Sequence, residues 1–277
     1  QQIEALLRET YDTRAMRRYA ILHPTTPFGE NAARAFTDAA TARGGTVTAR
    51  QSYDPASTDF RAPAMALGKK DYKARASEFA QLKREAERNR QDPSKVVLPP
   101  LIDYDAIFIP DSYQRVALIA SALAFEEFPV GRFKARREDT SIPLLGLSAW
   151  NNDELARRGG AYVQDSIFVD AFDPRVDDAP TDAFLDAWKE RGKGDATVVE
   201  AVAYDTTRLL AKAVAAGGDP EEALAKARLD AAVAGTIGFG EDRQLAREWR
   251  LLTVTKEGVR PLQPPAPPPP DETDAGQ

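Results

Sequence analysis

Few side chains in this sequence could perform covalent or metal chemistry. Its 277 residues contain no cysteine and a single histidine, His23. The lack of cysteine excludes disulfides, thiol nucleophiles and cysteine-ligated zinc, and one histidine excludes two-histidine motifs such as H-E-x-x-H. A Ser-His-Asp triad would have to use His23, which directly precedes Pro24 at a predicted strand end. We therefore expect His23 to make a structural hydrogen bond rather than to act in catalysis.

The common phosphate-binding and nucleophile motifs do not occur in the sequence. No G-x-G-x-x-G follows a predicted strand, and neither G-x-x-x-x-G-K-[ST] nor G-x-S-x-G is found. Asp103 and Asp105 flank Tyr104 and resemble a carboxylate pair. Both precede a predicted strand, so they lie at the edge of the sheet opposite the expected ligand cleft. We predict no enzymatic activity, no metal and no cofactor.

The composition is that of a globular protein with an acidic balance. There are 37 Lys and Arg against 43 Asp and Glu, a formal net charge of −6, and 43% of the residues are hydrophobic. No stretch approaches the roughly 20 apolar residues of a membrane span. A net acidic chain is a poor candidate for sequence-independent binding of nucleic acid, which needs clustered Lys and Arg. The length allows one large or two small domains.

Short apolar runs alternate with segments of helical spacing along the first part of the chain. Predicted strands cover residues 19–22, 46–53, 105–109, 144–147 and 166–169. Predicted helices cover 32–40, 61–90, 116–125 and 153–158, and three more helices follow residue 180. Residues 235–240 are predicted as turns and residues 249–262 as a hairpin. The alternation predicts an α/β fold with a largely parallel sheet.

Parallel sheets bind their ligands beyond the carboxyl ends of the strands. In this sequence the strand exits carry Thr25 and Phe28, then Ser112, then Trp150, and Tyr204 on a later helix is a further candidate. The three aromatic rings could stack on a ligand, and Thr25 and Ser112 could hydrogen-bond it. For Trp150 and Tyr204, plain packing is the alternative. Ser112 is also the predicted N-cap of the helix that follows it.

The stretch from Arg61 to Arg90 is predicted as one long charged helix. Its apolar positions are spaced by three or four residues: Tyr72, Ala76, Phe79, Leu82 and Ala86. The charged remainder has two interpretations, a solvated helix face or a surface that docks a protein or an anion. The loop Arg132–Asp139 is a second charged candidate surface.

Several passages resemble type I periplasmic-binding-like proteins, the leucine-binding-protein-like family. Residues 19–53 resemble the opening of the second lobe of that fold, in which two α/β lobes trap a small ligand between them. The long charged insertion and residues 103–110 (DYDAIFIP) are similar to the C-terminal domain of penicillin-binding-protein activator lipoproteins of the LppC/YraM type. Residues 145–151 (LGLSAWN) and 201–205 (AVAYD) are shared more broadly with amino-acid-binding proteins of ABC importers.

The resemblance covers residues 10–262 and implies one complete parallel-sheet lobe plus a partial second lobe, with the N-terminal lobe largely missing. Residues 1–14 would be the end of lobe I and a hinge helix, 15–165 lobe II, 166–235 the C-terminal helical part of lobe I, and 236–262 strands that return to lobe II. We therefore expect further sequence upstream of Gln1 and exposed apolar surface on the helices of 180–231. The Pro-rich residues 263–277 are predicted to be a disordered tail.

The resemblance implies a non-enzymatic periplasmic protein, tethered to the outer membrane by an upstream lipid anchor. It would activate a peptidoglycan-synthesising penicillin-binding protein by contact. The alternative is the substrate-binding protein of an ABC importer for amino acids or similar small polar solutes, whose partner would be an ABC permease. In the alternative, Thr25, Phe28, Ser112, Trp150 and Tyr204 would form part of the cleft. No nucleic-acid partner is expected.

Overall fold

A seven-stranded mixed sheet dominates the computed structural model, which describes residues 1–192 and 194–264. Its strands are β1 (Arg18–Pro24), β2 (Thr46–Tyr53), β3 (Ala106–Phe108), β4 (Leu144–Gly146), β5 (Ile167–Asp170), β8 (Arg250–Thr255) and β9 (Gly258–Pro261). Across the sheet they stand in the order β2-β1-β3-β4-β5-β8-β9. The first five pair in parallel, and β8 and β9 extend the sheet as an antiparallel hairpin beside β5.

Helices cover both faces of this sheet. On one face lie α1 (Gln2–Leu7), which continues as a π-helical turn (Arg8–Thr13), and α2 (Pro27–Ala42). On the other face lie α3 (Arg61–Leu67), α5 (Tyr113–Phe125) and α6 (Glu154–Gly159), while α4 (Ala76–Arg88) projects away from the sheet. Successive side chains of β1 are buried on alternate faces of the sheet. Tyr19 and Ile21 pack under α2, whereas Ala20 and Leu22 pack on the opposite face. The predicted α/β fold with a mostly parallel sheet is confirmed.

A smaller helical unit follows β5. It contains α7 (Ala179–Lys189), α8 (Val198–Ala216), α9 (Pro220–Lys226) and a two-stranded sheet of β6 (Thr236–Phe239) and β7 (Leu245–Arg247). The buried carboxylate of Asp205 on α8 accepts hydrogen bonds from the backbone N–H groups of Val233 and Ala234 at 3.0 and 2.8 Å. These bonds fix the turn that leads into β6. The chain enters this unit after β5 and leaves it before β8.

Two sequence predictions about secondary structure were wrong. Residues 235–240 contain strand β6 rather than only turns, because Thr236–Phe239 pairs with β7. The stretch from Arg61 to Arg90 forms two helices, α3 and α4, because α3 ends before Gly68. A β-carbon there would lie 2.8 Å from the Phe128 ring and from Pro100, and Lys69 adopts a left-handed φ of 51°. The close approach leaves room only for glycine at position 68. The left-handed conformation of Lys69 ends α3.

The other predicted strands and the terminal hairpin are confirmed as β1 to β5, β8 and β9. The domain boundaries proposed from the resemblance stay predictions. The predicted tail 263–277 lies outside the described residues from residue 265 onward. Among the described residues, no helix combines the length and the apolar character needed to cross a bilayer.

Candidate functional site

The loops that follow β1, β3, β4 and β5 converge at the carboxyl edge of the sheet, because these strands are parallel neighbours. The loop after β1 is the best defined. Thr25 donates its N–H to the carbonyl of Tyr53 at 2.9 Å, and Thr26 caps α2 by accepting from the N–H of Gly29 at 3.0 Å. A β-carbon at Gly29 would lie 2.3 Å from the Pro24 carbonyl, so this tight turn requires glycine. The turn leaves the Phe28 ring 59% exposed.

Phe28 borders a groove of about 580 Å³ between α1 and α2. Ser148 and Ala149, which follow β4, lie at the same groove, and small side chains of α2 such as Ala35 form its floor. Gln2 on α1 holds Ser148 from both sides. Its Nε2 donates to the Ser148 Oγ at 3.3 Å, and its Oε1 accepts from the Ser148 N–H at 3.2 Å. The groove therefore joins an aromatic ring to a hydroxyl and a carboxamide.

Ser112 lies in a second hollow, on the opposite side of the sheet edge. The Tyr53 hydroxyl donates to Asp111 Oδ2 at 2.7 Å, and the Ser112 N–H donates to Asp111 Oδ1 at 2.6 Å. Burial, together with that hydrogen bond, raises the pKa of Tyr53, so its hydroxyl stays a donor. The hollow is about 460 Å³ and also receives Arg115 and Arg158. Ser112 occupies the N-cap position of α5 as predicted, but its hydroxyl makes no capping hydrogen bond.

Of the two interpretations of Trp150, the structure favours packing, because its indole is fully buried. The ring lies over Gly146 of β4, where a β-carbon would approach the indole to 2.2 Å, and its centroid is 6.0 Å from that of Phe168. A side chain at position 146 would displace the indole. The spacing of Gly146 and Trp150 was the available sequence signal for packing.

Tyr204 lies in the helical unit and is 38% exposed. Its ring lies on α8 in the helical unit, 5.1 Å from the Phe184 ring and 5.4 Å from the Arg208 guanidinium. It lines neither the Phe28 groove nor the Ser112 hollow. The structure thus places Thr25 and Phe28 in one loop and Ser112 in a neighbouring loop, while Trp150 is buried and Tyr204 lines neither the groove nor the hollow.

A buried polar network beside the site was not predicted from the sequence. The Asn151 Nδ2 donates to Asp170 Oδ2 and to the Phe172 carbonyl, both at 2.8 Å. Arg175 donates to Asp173 Oδ1 at 2.6 Å and also to the Asn151 carboxamide oxygen. The network joins the loop after β4 to the segment that enters the helical unit. Its sequence signal was weak, since acids after a strand are common on solvated edges.

Burial dominates the electrostatics of this network. It raises the pKa of Asp170, which is 3% exposed, to about 6, against hydrogen bonds from Asn151 and from the backbone of Ala171 and Phe172. Asp173 is fully buried, and its Oδ2 has no hydrogen-bond partner among the residues that the structure describes. Asn151 therefore holds the Asp170 carboxylate, and Arg175 holds that of Asp173.

His23 and Asp105 both make hydrogen bonds that hold the local structure in place. His23 is buried, its Nε2 accepts from Arg50 Nε at 2.9 Å, and its Nδ1 lies 3.1 Å from the Pro24 carbonyl. Asp105 accepts the backbone N–H groups of Arg17 and Arg18 at 2.8 and 2.9 Å, at the amino edge of the sheet. Over residues 1–192 and 194–264, no group of three or more acidic or histidine side chains is arranged to hold a metal ion.

Comparison with known proteins supports one fold. A sequence profile of the family described as "Periplasmic binding protein" matches residues 134–259. No curated protein sequence matches the chain.

Solved structures match nearly the whole chain at low sequence identity. A leucine-binding protein from Thermotoga maritima superposes with a TM-score of 0.61 at 19% identity, covering 95% of this chain and 64% of that one. A branched-chain amino acid transporter substrate-binding protein from Streptococcus pneumoniae, in complex with isoleucine, gives 0.58 at 18% identity, with 93% and 62% coverage. A solute-binding protein of an ABC transporter from R. palustris, in complex with benzoate, gives 0.57 at 16% identity, with 94% and 61% coverage.

The chain spans less than two thirds of the length of these structures. The superpositions concern the fold alone, since the identities are below one in five. The chain has the fold of type I periplasmic, leucine-binding-protein-like binding proteins.

Proposed function

We propose that this chain is the ligand-binding part of a substrate-binding protein of an ABC importer, in line with the alternative drawn from the sequence. The observation that carries the proposal is the exposed Phe28 ring beside Ser148, at the carboxyl edge of a sheet with this fold. Such an edge is where open parallel sheets bind ligands. The protein would act in the periplasm, with an ABC permease as its partner, and would bind without catalysing a reaction.

The ligand class that fits the groove is a small solute with a compact apolar part and a polar end, such as a branched-chain amino acid. Phe28 and the alanine side chains of α2 offer apolar contact, and Ser148 offers a hydroxyl. The solved relatives in complex with isoleucine and benzoate hold ligands of this general shape. On this proposal Thr25 and Phe28 belong to the site, whereas Ser112 belongs to its neighbouring hollow.

Calorimetry on the 277-residue chain tests the proposal. We expect micromolar binding of leucine, isoleucine or valine, and about tenfold weaker binding after Phe28→Ala, because an apolar side chain that is buried on binding contributes roughly 1.5 kcal/mol. Phe125→Ala is the matched control, since that ring is 69% exposed at the far end of α5. No heat with any small solute at millimolar concentration, or equal losses in both variants, would contradict the proposal.

A second candidate is the one that the LppC/YraM resemblance implied, a lipid-anchored activator of a penicillin-binding protein. What favours it is α4, which packs mainly on the short turn that follows it and covers no part of the sheet. Its test is direct binding to the purified peptidoglycan synthase of the same organism, with the polymerisation rate as readout. An unchanged rate at saturating protein would reject this candidate.

A further inference from the structure

A projecting arm leaves the sheet unit between α3 and β3. We define the arm as residues 71–97, which include α4 and a single 3-10 turn (Pro93–Lys95). It folds back on itself: the Tyr72 ring contacts the Phe79 ring edge to face at 4.9 Å, and the Leu98 N–H donates to the Tyr72 hydroxyl at 3.4 Å. Apart from Ala86, no residue of α4 is buried. Helix α4 therefore contributes little to the hydrophobic core.

A buried ion pair anchors the base of the arm. The Lys70 ammonium, fully buried, donates to Glu126 Oε2 at 2.6 Å and to the Glu126 carbonyl at 3.1 Å. Arg61 donates to the other carboxylate oxygen of Glu126 at 2.7 Å. Arg75 adds a hydrogen bond of 2.9 Å to the Pro99 carbonyl. Because a buried pair requires close geometry, these contacts fix the direction in which the arm leaves the sheet.

A second basic segment, the loop Arg132–Asp139, lies near the base of the arm. Glu127 follows the buried Glu126 directly, and burial raises the pKa of its carboxyl, on which the charges of Lys70, Arg136 and Asp139 also act. Arg136 and Asp139 belong to the loop Arg132–Asp139, whose Phe133 ring packs on Tyr162 at 5.6 Å. Residues more than 60 positions apart in sequence therefore border one carboxylate. Arg132 pairs with Asp165 just before β5, so the loop lies at the amino edge of the sheet, and the arm leaves that same edge beside the Lys69–Asp103 pair. We call the arm and the loop together the basic surface.

The charge of the basic surface opposes that of the whole chain. The arm holds seven Lys or Arg against five Asp or Glu, and the loop four against two, in a chain of net charge −6. Among the described residues, eight of these cations are exposed and have no ion-pair partner: Lys73, Lys83, Arg84, Arg90, Lys95, Lys134, Arg136 and Arg137. The acids mostly pair or cap turns, as Glu78 does with Arg75 and Asp92 with Ser94. Only Glu87 and Glu138 are exposed without such a role.

We propose that the basic surface, formed jointly by the arm and the loop Arg132–Asp139, docks a carboxylate-rich surface of another protein. Half of its unpaired cations are arginines, whose planar guanidinium groups bind carboxylates in a bidentate manner. The base of the arm lies beside the ion pair of Lys69 and Asp103, whose Nζ and Oδ2 atoms are 3.2 Å apart just before β3. This is the amino edge of the sheet, so docking leaves the carboxyl edge with Phe28 open. The inference is independent of the solute bound there.

An acidic protein fits better than an anionic lipid surface. Glu78, Glu85 and Glu87 lie on the same helix as Lys83 and Arg84. A bilayer presents a flat anionic plane that would repel these carboxylates, whereas a polypeptide chain can place its own carboxylates opposite the cations and away from these acids.

Fluorescence polarisation with labelled poly-L-glutamate tests the proposal on the full chain at about 0.15 M salt, where exposed charges act over roughly 8 Å. The arm variant is Lys83→Glu with Arg84→Glu, and the loop variant is Lys134→Glu with Arg136→Glu. We expect each to weaken binding on the order of fivefold, and the combination to weaken it further, because both segments face the same partner.

The matched control is Arg34→Glu with Arg191→Glu, an equal change of net charge at two exposed cations without an ion-pair partner, on α2 and after α7 in the described chain. It should change affinity less than twofold. Equal losses in the control would show that net charge alone is measured, and loss in only one of the two segments would overturn the joint surface. Tighter binding to vesicles of equal parts phosphatidylglycerol and phosphatidylcholine than to poly-L-glutamate would overturn the choice of an acidic protein.

Discussion

Among single residues, Asp170 shows most clearly how burial alters chemistry. Its carboxylate lies at the end of β5, where the chain passes from the sheet to the helical unit, and Asn151 is its hydrogen-bond donor. The native protein binds a proton at Asp170 more readily than the unfolded chain does, since the native pKa is about 6 and the ordinary value is 3.8. The contribution of Asp170 to the free energy of unfolding is therefore fully present below its ordinary pKa of 3.8, and it is lost as the pH rises through about 6.

We predict that Asp170→Asn gains stability relative to the wild type as pH rises from 4 to 7. The gain approaches roughly 3 kcal/mol, the free energy that corresponds to the difference between the two pKa values, and it levels off above pH 7. Urea unfolding of both proteins across this range measures it. Asp186→Asn, at an exposed carboxylate of α7, is the control for the removal of one negative charge. A pH-independent difference for Asp170→Asn would disprove the assignment.

At the scale of the element, the caps of α2 and α5 differ although both have a hydroxyl residue. Thr26 at α2 accepts the Gly29 N–H, while Ser112 at α5 makes no capping bond. The sequence predicted a cap at Ser112 because the residue type is favoured there. The structure shows instead that Asp111 takes the Ser112 N–H and thereby holds the loop to Tyr53.

We predict that Thr26→Ala lowers the free energy of unfolding by about 1 kcal/mol, as loss of an N-cap hydrogen bond does. Ser112→Ala should cost less than half of that, because no capping bond is lost. Chemical denaturation of both variants gives the comparison. Equal costs would mean that the Ser112 hydroxyl caps α5 in solution.

At the scale of the whole molecule, α8 is apolar on two sides. Its buried side carries Leu209 and Ala213, and its outer side exposes Val199, Leu210 and Val214 at 68%, 47% and 81%. The expectation of exposed apolar surface on the helices of 180–231 is thereby confirmed. A helix that is apolar all round is typical of a buried position, and exposed apolar patches commonly mark contact sites.

We predict that Leu210→Lys with Val214→Lys reduces the binding of a hydrophobic dye such as ANS to the 277-residue chain, with stability changed by no more than about 0.5 kcal/mol. Leu118→Lys is the control, because that leucine is 49% exposed but lies on α5 of the sheet unit. Dye binding that falls equally in both variants would place the apolar surface elsewhere.

Local pattern was enough to predict much of this architecture. The apolar run Tyr19–Leu22 and the β-branched run Thr46–Tyr53 became neighbouring parallel strands, with a helix between them that ends before Gly44. Such runs specify strands because burial on two faces demands continuous apolar residues. The exits that carry Thr25, Phe28 and Ser112 followed from the same pattern, since parallel strands place their carboxyl ends at one edge.

Other features depended on contacts between residues far apart in sequence. Nothing in the sequence indicates that Lys70 would turn inward to Glu126, just after the break between α3 and α4, because that pair forms across 56 positions. Nor could it show that Trp150 covers Gly146 rather than a ligand, or that Asn151 reaches Asp170. By itself the sequence determined the order of strands and helices and the edge that holds the site, because local periodicity and chain direction suffice for those. Only the tertiary structure decided which polar groups are buried together and which charged segments share one surface, because desolvation and charge pairing depend on distance in space.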